Sequence, residues 1–207
     1  MKNIFLSIIG LSMFAIPAAS FARNDKQQEN KDMKTDRKVL VVFFSHTGEN
    51  YGVGDITKGN TCIVAEMIAE ATGGELFEIV PAQAYPKSYD ACVALAKKEK
   101  SAAARPAIEG DTKVEDYDTV FIGYPNWWGD MPMPVYTFIE RHDWHGRQVI
   151  PFCTHEGSGL SDTEKYIAEA CKGATVGKGL QMRGTTAQNS REQAKKSVLA
   201  WLERAGF

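Results

Sequence analysis

The 207-residue chain is short of several things, and each shortage closes off a class of function. It holds only four cysteines, Cys62, Cys92, Cys153 and Cys171, with no C-x-x-C pair and none beside a histidine at zinc-ligand spacing. A zinc centre or dithiol redox motif is therefore not expected, and the four read as small, mostly buried hydrophobes. No block of lysine and arginine occurs and the formal net charge is −2, which argues against a nucleic-acid partner. The lysine and spacing of a nucleotide P-loop are missing, as is a G-x-G-x-x-G fingerprint for a nicotinamide dinucleotide, so neither ATP nor a stably held NAD(P)H is expected. Cys153 is followed six positions on by Gly159 where a tyrosine-phosphatase loop needs arginine, and without that guanidinium the chemistry has no phosphate holder. His142 and His145 have no carboxylate or cysteine at a recognised spacing and read as a solvated helix end.

Strongly apolar runs are concentrated at the start. Lys2 is the only charge in residues 1–22, "IFLSIIGLSMFAI" is apolar, Pro17 interrupts it and small residues end it. This pattern predicts a secretory signal cleaved after Ala22, and an exported protein, periplasmic or extracellular. The alternative is an uncleaved membrane anchor, which Ser7, Gly10, Ser12 and Pro17 weaken. Loss of Lys2 takes the formal charge from −2 to −3. Residues 23–37 carry one strongly apolar side chain, Met33, too little to bury, and read as a disordered linker.

From residue 38 to 207 apolar runs alternate with helical periodicity. "KVLVVFF" is a strand buried on both faces. Ile63, Val64, Met67, Ile68 and Ala71 recur at helical spacing and Gly73-Gly74 ends that helix. "ELFEIV", "DTVFIGY" and "RQVIPFC" are further strands, and "ATVGKGLQM" is a weaker fifth. "SYDACVALAKKEK" and "VYTFIERH" are helices, the latter starting near Pro134. Ser161 and Glu164 suggest a capping box for "SDTEKYIAEAC". The last helix carries Ala194, Val198, Leu199, Trp201 and Leu202, capped by Asn189 or Ser190. Five such units specify an α/β fold with a five-stranded parallel sheet and helices on both faces.

Ligands bind such sheets beyond the carboxyl ends of the strands, and three loops there have unusual composition. "SHTG…GNT" combines Ser45, Thr47 and Thr61 hydroxyls with a helix start, a setting for an anion, or else Asn60 or Thr61 only caps the helix. "PNWWGDMP" puts Trp127 and Trp128 at a strand end, where two indoles make a wall for a planar ligand, or one fills the core and the other lies on the surface. "THEGSG" offers polar groups on a flexible backbone.

Together these segments resemble the flavodoxin-like family over about residues 38–207, in a branch whose first loop is split. The family's phosphate loop reads S-x-T-G-N-T, and joining Gly48 to Asn60 here gives "SHTGNT". The resemblance implies the strand order 2-1-3-4-5 and a bound FMN. Ser45, Thr47, Gly48, Asn60 and Thr61 would hold its phosphate. Pro125, Asn126, Trp127, Trp128 and Gly129 would line the ring system, with one indole stacked on it. Thr154, His155, Glu156, Gly157 and Gly159 would border its other side. No catalytic side chain and no metal is implied. The expected role is electron transfer through the flavin to a redox partner protein or small acceptor. The alternatives are an FMN-dependent NAD(P)H:quinone-type reductase and a flavin-free binding module. The insertion Glu49 to Gly59 is expected either to fold Tyr51 or Lys58 back as a partial lid or to run as a disordered excursion.

Overall fold

The computed structural model describes residues 37–207; the signal sequence and nearly all of the linker expected above lie outside the described residues. Five parallel strands form the centre. They are β1 (Val39–Phe43), β4 (Glu75–Glu78), β7 (Thr119–Pro125), β8 (Gln148–His155) and β10 (Leu180–Arg183), arranged β4-β1-β7-β8-β10, while β5 (Val80–Pro81) and β6 (Ile108–Glu109) form a separate antiparallel pair. In sequence order this is 2-1-3-4-5, as the resemblance implied. Chain reversal between β1's two neighbours opens a crevice at its carboxyl end.

Helices cover both faces because β1 is apolar at every position. Val39, Val41 and Phe43 point toward α1 (Asn60–Thr72) and α6 (Arg191–Arg204), meeting Ile63, Val64 and Ile68 of the first and Val198 and Trp201 of the second. Leu40, Val42 and Phe44 point the other way, toward Val135, Phe138 and Ile139 of α3 (Met133–Ile139) and Ile167 of α4 (Thr163–Ala170). Each such fully buried side chain contributes about 1.5–3 kcal/mol. α1 ends at Gly73, whose left-handed backbone lets its N–H reach Ala69 O, as the glycine pair predicts. α2 (Tyr89–Ser101) packs beside α3 and buries only Cys92 and Ala96. All four cysteines are free, and Cys92, Cys153 and Cys171 are buried.

Four local expectations are corrected. The fifth strand is broken. The short β9 (Thr175–Val176) pairs with the start of β8 and β10 with its end. The Gln148 N–H is turned to β7, donating to Asp118 O, while Val149 O accepts Gly177 N–H. Odd-numbered β8 residues therefore face the fifth strand, and Pro151 has no N–H to contribute there. At the gap the Gly179 N–H turns to Glu164 Oε1 at 2.7 Å. That contact removes Glu164 from the expected capping box; its partner Ser161 sits in a left-handed conformation (φ 51°) with its hydroxyl bonded elsewhere. His142 is no solvated helix end, since its side chain is 5% exposed and packs on Phe138. Leu199, counted among the apolar positions of α6, is exposed.

Candidate functional site

The loops leaving β1, β7 and β8 meet around one cleft of about 370 Å³. Its floor begins with the turn from β1 into α1. Ser45 Oγ accepts the Cys62 N–H at 3.1 Å, capping α1 from the preceding loop. Thr61 and Thr154 share a buried hydroxyl bond of 2.7 Å that pins the first turn of α1 to the end of β8. Gly59 makes the approach possible: a Cβ there would lie 2.1 Å from Ser45 Oγ and 2.6 Å from His46 O. The first N–H groups of α1 have no intrahelical acceptor and carry the positive end of the helix dipole. Asn60 lines the cleft, with Oδ1 accepting from Gln188 Nε2 at 2.9 Å. Gln188 belongs to α5 (Gly184–Asn189), a short helix absent from the sequence expectations.

The segment expected to be an insertion, residues 49–59, is ordered. β2 (Gly48–Asn50) and β3 (Gly54–Ile56) pair antiparallel as a hairpin. Its base is tied to the start of α2: Glu49 N–H donates to Lys87 O at 2.7 Å, and Glu49 Oε2 accepts the Tyr89 N–H at 3.0 Å. Gly48, at φ 99°, is pressed so close to Lys87 that a Cβ would meet its carbonyl oxygen at 2.7 Å. At the tip, a Cβ on Gly52 would stand 3.1 Å from Glu156 Cγ. The hairpin thus spans from α2 to the loop after β8. Glu49, Asn50 and Tyr51 line the cleft. Lys58 instead pairs with Glu66 on the outside of α1.

The opposite wall is aromatic. Trp127 is half-buried, edge-on to Phe44, His46 and Tyr85 at 5.3, 5.7 and 5.1 Å. Trp128 is 48% exposed and lies over α2, donating Nε1–H to Val93 O at 3.2 Å, with Lys97 Nζ 5.1 Å from its ring centre. A tight turn makes this arrangement: Trp127 and Asp130 exchange backbone bonds, and Trp128 (φ 59°) and Gly129 (φ 75°) occupy its centre. A left-handed tryptophan is strained by about 1–2 kcal/mol, the kind of strain that gathers at functional sites.

Asn126 organises the loops more than it faces the cleft. Its Nδ2 donates to Gly159 O and Ser161 Oγ, both at 2.9 Å, and its Oδ1 accepts the Gly129 N–H. Glu156 is similarly engaged: its carboxylate accepts from the Thr185 N–H and hydroxyl, capping α5. His155 Nδ1 accepts the Gly157 N–H at 2.9 Å. Of the residues expected at the site, Asn60, Pro125, Asn126, Trp127, Trp128, Thr154, His155 and Glu156 line the cleft. Ser45, Gly48, Thr61, Gly129 and Gly159 belong to its loops without lining it, and Thr47 and Gly157 are exposed.

The sequence expectations did not include His46, Glu49, Asn50, Ser158 or the α2 face Tyr89, Cys92, Val93 and Ala96, all of which line the cleft. Those α2 positions follow helical spacing and look like an ordinary core face; nothing local distinguishes them. His46 stands inside the quoted motif itself.

Burial lowers the pKa of both cleft histidines from 6.5. For His155 the nearby Arg183 adds to this and Glu156 opposes it. The folded state therefore resists protonation more than the unfolded chain. Stability is full above about pH 6.5 and is lost as pH falls from there toward the folded values. Thermal melts are expected to show His46→Phe losing less stability than wild type between about pH 7.5 and about pH 5.5. Equal losses would contradict the assignment.

Residues 38–204 match the flavodoxin family. A candidate flavoprotein from Bacteroides eggerthii is 30% identical, with 81% of this chain and 97% of that one covered and a TM-score of 0.65. Another, from Bacteroides uniformis, is 32% identical, with coverages of 81% and 98% and a TM-score of 0.63. A flavoprotein from Lactobacillus acidophilus in complex with FMN shares the fold at 21% identity, with coverages of 70% and 93% and a TM-score of 0.56. No curated protein matches. The strand order, the ring of three loops and the family match lead to one statement: this chain belongs to the flavodoxin family.

Proposed function

We propose that the protein binds one FMN in this cleft and carries electrons through it outside the cytoplasm. The observation that carries the reading is the convergence of an open helix N-terminus, a split loop and two indoles on one cavity. The residues present fit the group. The Gly59 cradle brings the Ser45–His46 backbone against the start of α1 with no room for a side chain, the arrangement a phosphate needs at a helix end. The cleft brings Trp127 and Trp128 together with Tyr51, Tyr89, Val93 and Ala96, the aromatic and apolar lining of a planar ligand's site.

FMN, when bound, supplies one- and two-electron redox chemistry. The chain's own task is to hold and shield. The start of α1 and Asn60 would hold the phosphate end, and Trp127 and Trp128 the ring end. The Asn126 amide fixes the two ring-side loops to each other. Cys92 in the cleft is pushed up to about 11 by burial and by Glu99, and so stays a thiol; the histidines are held neutral at physiological pH. The two carboxylates of the cleft, Glu49 and Glu156, are taken up by the Tyr89 and Thr185 N–H groups, which supports a carrier over an enzyme with its own acid–base machinery. Trp128, at the surface, offers an exposed edge toward a partner protein or small acceptor. The composition of residues 1–22 supports export.

The test is turnover. Chemically reduced, FMN-loaded protein is expected to reoxidise rapidly with ferricyanide or cytochrome c, while NAD(P)H alone is not consumed. Steady NAD(P)H oxidation would overturn the carrier reading in favour of a reductase.

A further inference from the structure

The rim of the cleft carries a charge opposite to that of the chain as a whole. Residues 87–105 hold Lys87, Lys97, Lys98, Lys100 and Arg105 against Asp90 and Glu99, a net of +3 in a chain of formal charge −2. Helical spacing brings this charge to the cleft. Val93 and Ala96 line it, and one turn further along the same stripe of α2 stand Lys97 and Lys100. Lys97 Nζ lies over the Trp128 ring, and Lys100 Nζ donates to Trp128 O at 2.6 Å. Asp130 offsets Lys100 from 3.5 Å away. Lys87, beside the base of the hairpin, and Lys97 and Lys98 are exposed, and no carboxylate among the described residues pairs with them. Two nearby carboxylates are engaged within the fold, Glu99 by the Tyr85 hydroxyl and Glu49 by the Tyr89 N–H. The same rim is aromatic. Tyr51, Tyr89 and Trp128 are three of the six large hydrophobic side chains exposed among the described residues, and all three line the cleft.

We infer that this aromatic, lysine-flanked rim is the docking face for an acidic electron-transfer protein. The inference rests on the flavin reading of the cleft and adds to it the charge of the partner. Exposed tyrosine and tryptophan are the side chains that protein interfaces concentrate at their centres, with charged groups around them. Lysines in that position select a partner with carboxylates around its own electron-transfer site and speed the encounter. The net charge of the whole chain predicts the opposite preference. At ~0.1 M salt, however, charges more than about 10 Å apart are largely screened, so the charges nearest the contact decide. A bilayer surface fits this rim less well, because interfacial anchors must project into the headgroups. Trp128 instead lies along α2 with its Nε1–H bonded to Val93 O, and Tyr51 leans on Tyr89 with ring centres 6.2 Å apart.

The experiment follows, by stopped flow, the reoxidation of reduced, FMN-loaded protein by ferric cytochrome b5, an acidic haem protein, and by ferric cytochrome c, a basic one. Two ferric haems take the two electrons of each flavin, and its protons pass to solvent. With cytochrome b5 the rate constant is expected to fall at least about tenfold between about 0.05 and about 0.5 M salt. With cytochrome c it is expected not to fall. Reversing the charge of the rim, by Lys87→Glu with Lys97→Glu and Lys98→Glu, should slow cytochrome b5 about tenfold at low salt. Benzoquinone, a neutral acceptor that takes both electrons with two protons, should reoxidise that variant at the wild-type rate. A cytochrome b5 rate that rises with salt, one that the variant leaves unchanged, or equal slowing with benzoquinone overturns the inference while the flavin site stands. Lysine-dependent sedimentation of the FMN-loaded protein with phosphatidylglycerol vesicles would assign the face to a membrane and overturn it as well. If wild type binds no FMN, both this inference and the flavin reading fall.

Discussion

Replacing Gly59 with alanine is expected to cut the protein's preference for FMN over riboflavin by at least about tenfold, since one charge-assisted hydrogen bond is worth about 1.5–3 kcal/mol. The added methyl would stand 2.1 Å from Ser45 Oγ and 2.6 Å from the His46 carbonyl oxygen. A side-chain hydroxyl can rotate away, but the carbonyl belongs to the backbone and must carry the loop with it. The loop would then lift from the start of α1, breaking the Ser45 cap on the Cys62 N–H. Overpacking of this kind destabilises by about 1–3 kcal/mol. Riboflavin serves as the control, because it lacks the phosphate but shares the ring and linker. Retained riboflavin binding with lost FMN preference places the phosphate at this junction. An unchanged preference would place it elsewhere.

The two neighbouring tryptophans are expected to fail in different ways. Trp127 packs against Phe44, His46 and Tyr85, so Trp127→Ala opens a hole in the aromatic cluster under the cleft. Truncating a well-packed tryptophan costs about 3–5 kcal/mol; half-burial puts the expected loss at the lower end. Trp128 is half exposed and held in a left-handed backbone. Trp128→Gly relieves that strain while deleting the indole, so stability should be nearly unchanged. Flavin affinity should fall by roughly ten- to a hundredfold, taking base–aromatic stacking at about 1–3 kcal/mol as the guide. Urea unfolding and fluorescence titration on both variants separate the roles. Unaltered flavin affinity in Trp128→Gly would assign the ring contact to Trp127 alone.

What could be read from the sequence follows from the range of each interaction. β1 was legible because "KVLVVFF" is apolar on both faces, and burial on both faces requires a central strand. α1 was legible because its apolar spacing and its stop, Gly73, are local. The Gly48–Ile56 hairpin was not legible. Its few apolar residues, Tyr51, Val53 and Ile56, are scattered among glycines and polar residues without a strand's alternation, and it is held by bonds from Glu49 to Lys87 and Tyr89, about forty residues away in the chain. The Ser161–Glu164 capping box failed for a similar reason. A local motif lost to a distant donor, the Gly179 N–H, freed by the gap opposite Pro151. The α2 wall was hidden in another way: Tyr89, Val93 and Ala96 keep a helical apolar pattern whether they face a core or a ligand. The three loops themselves were visible as composition, while the engagement of Asn126 and Glu156 in loop-to-loop bonds became visible only in three dimensions.

The central claim is that one cleft, built by these three loops and the hairpin, holds one FMN by both its phosphate and its ring. Equilibrium titration of the purified, flavin-free protein with FMN tests it most directly. The expected result is saturation at one FMN per chain, with quenched flavin fluorescence and affinity clearly above that for riboflavin. Absence of binding, or equal affinity for FMN and riboflavin, would contradict it.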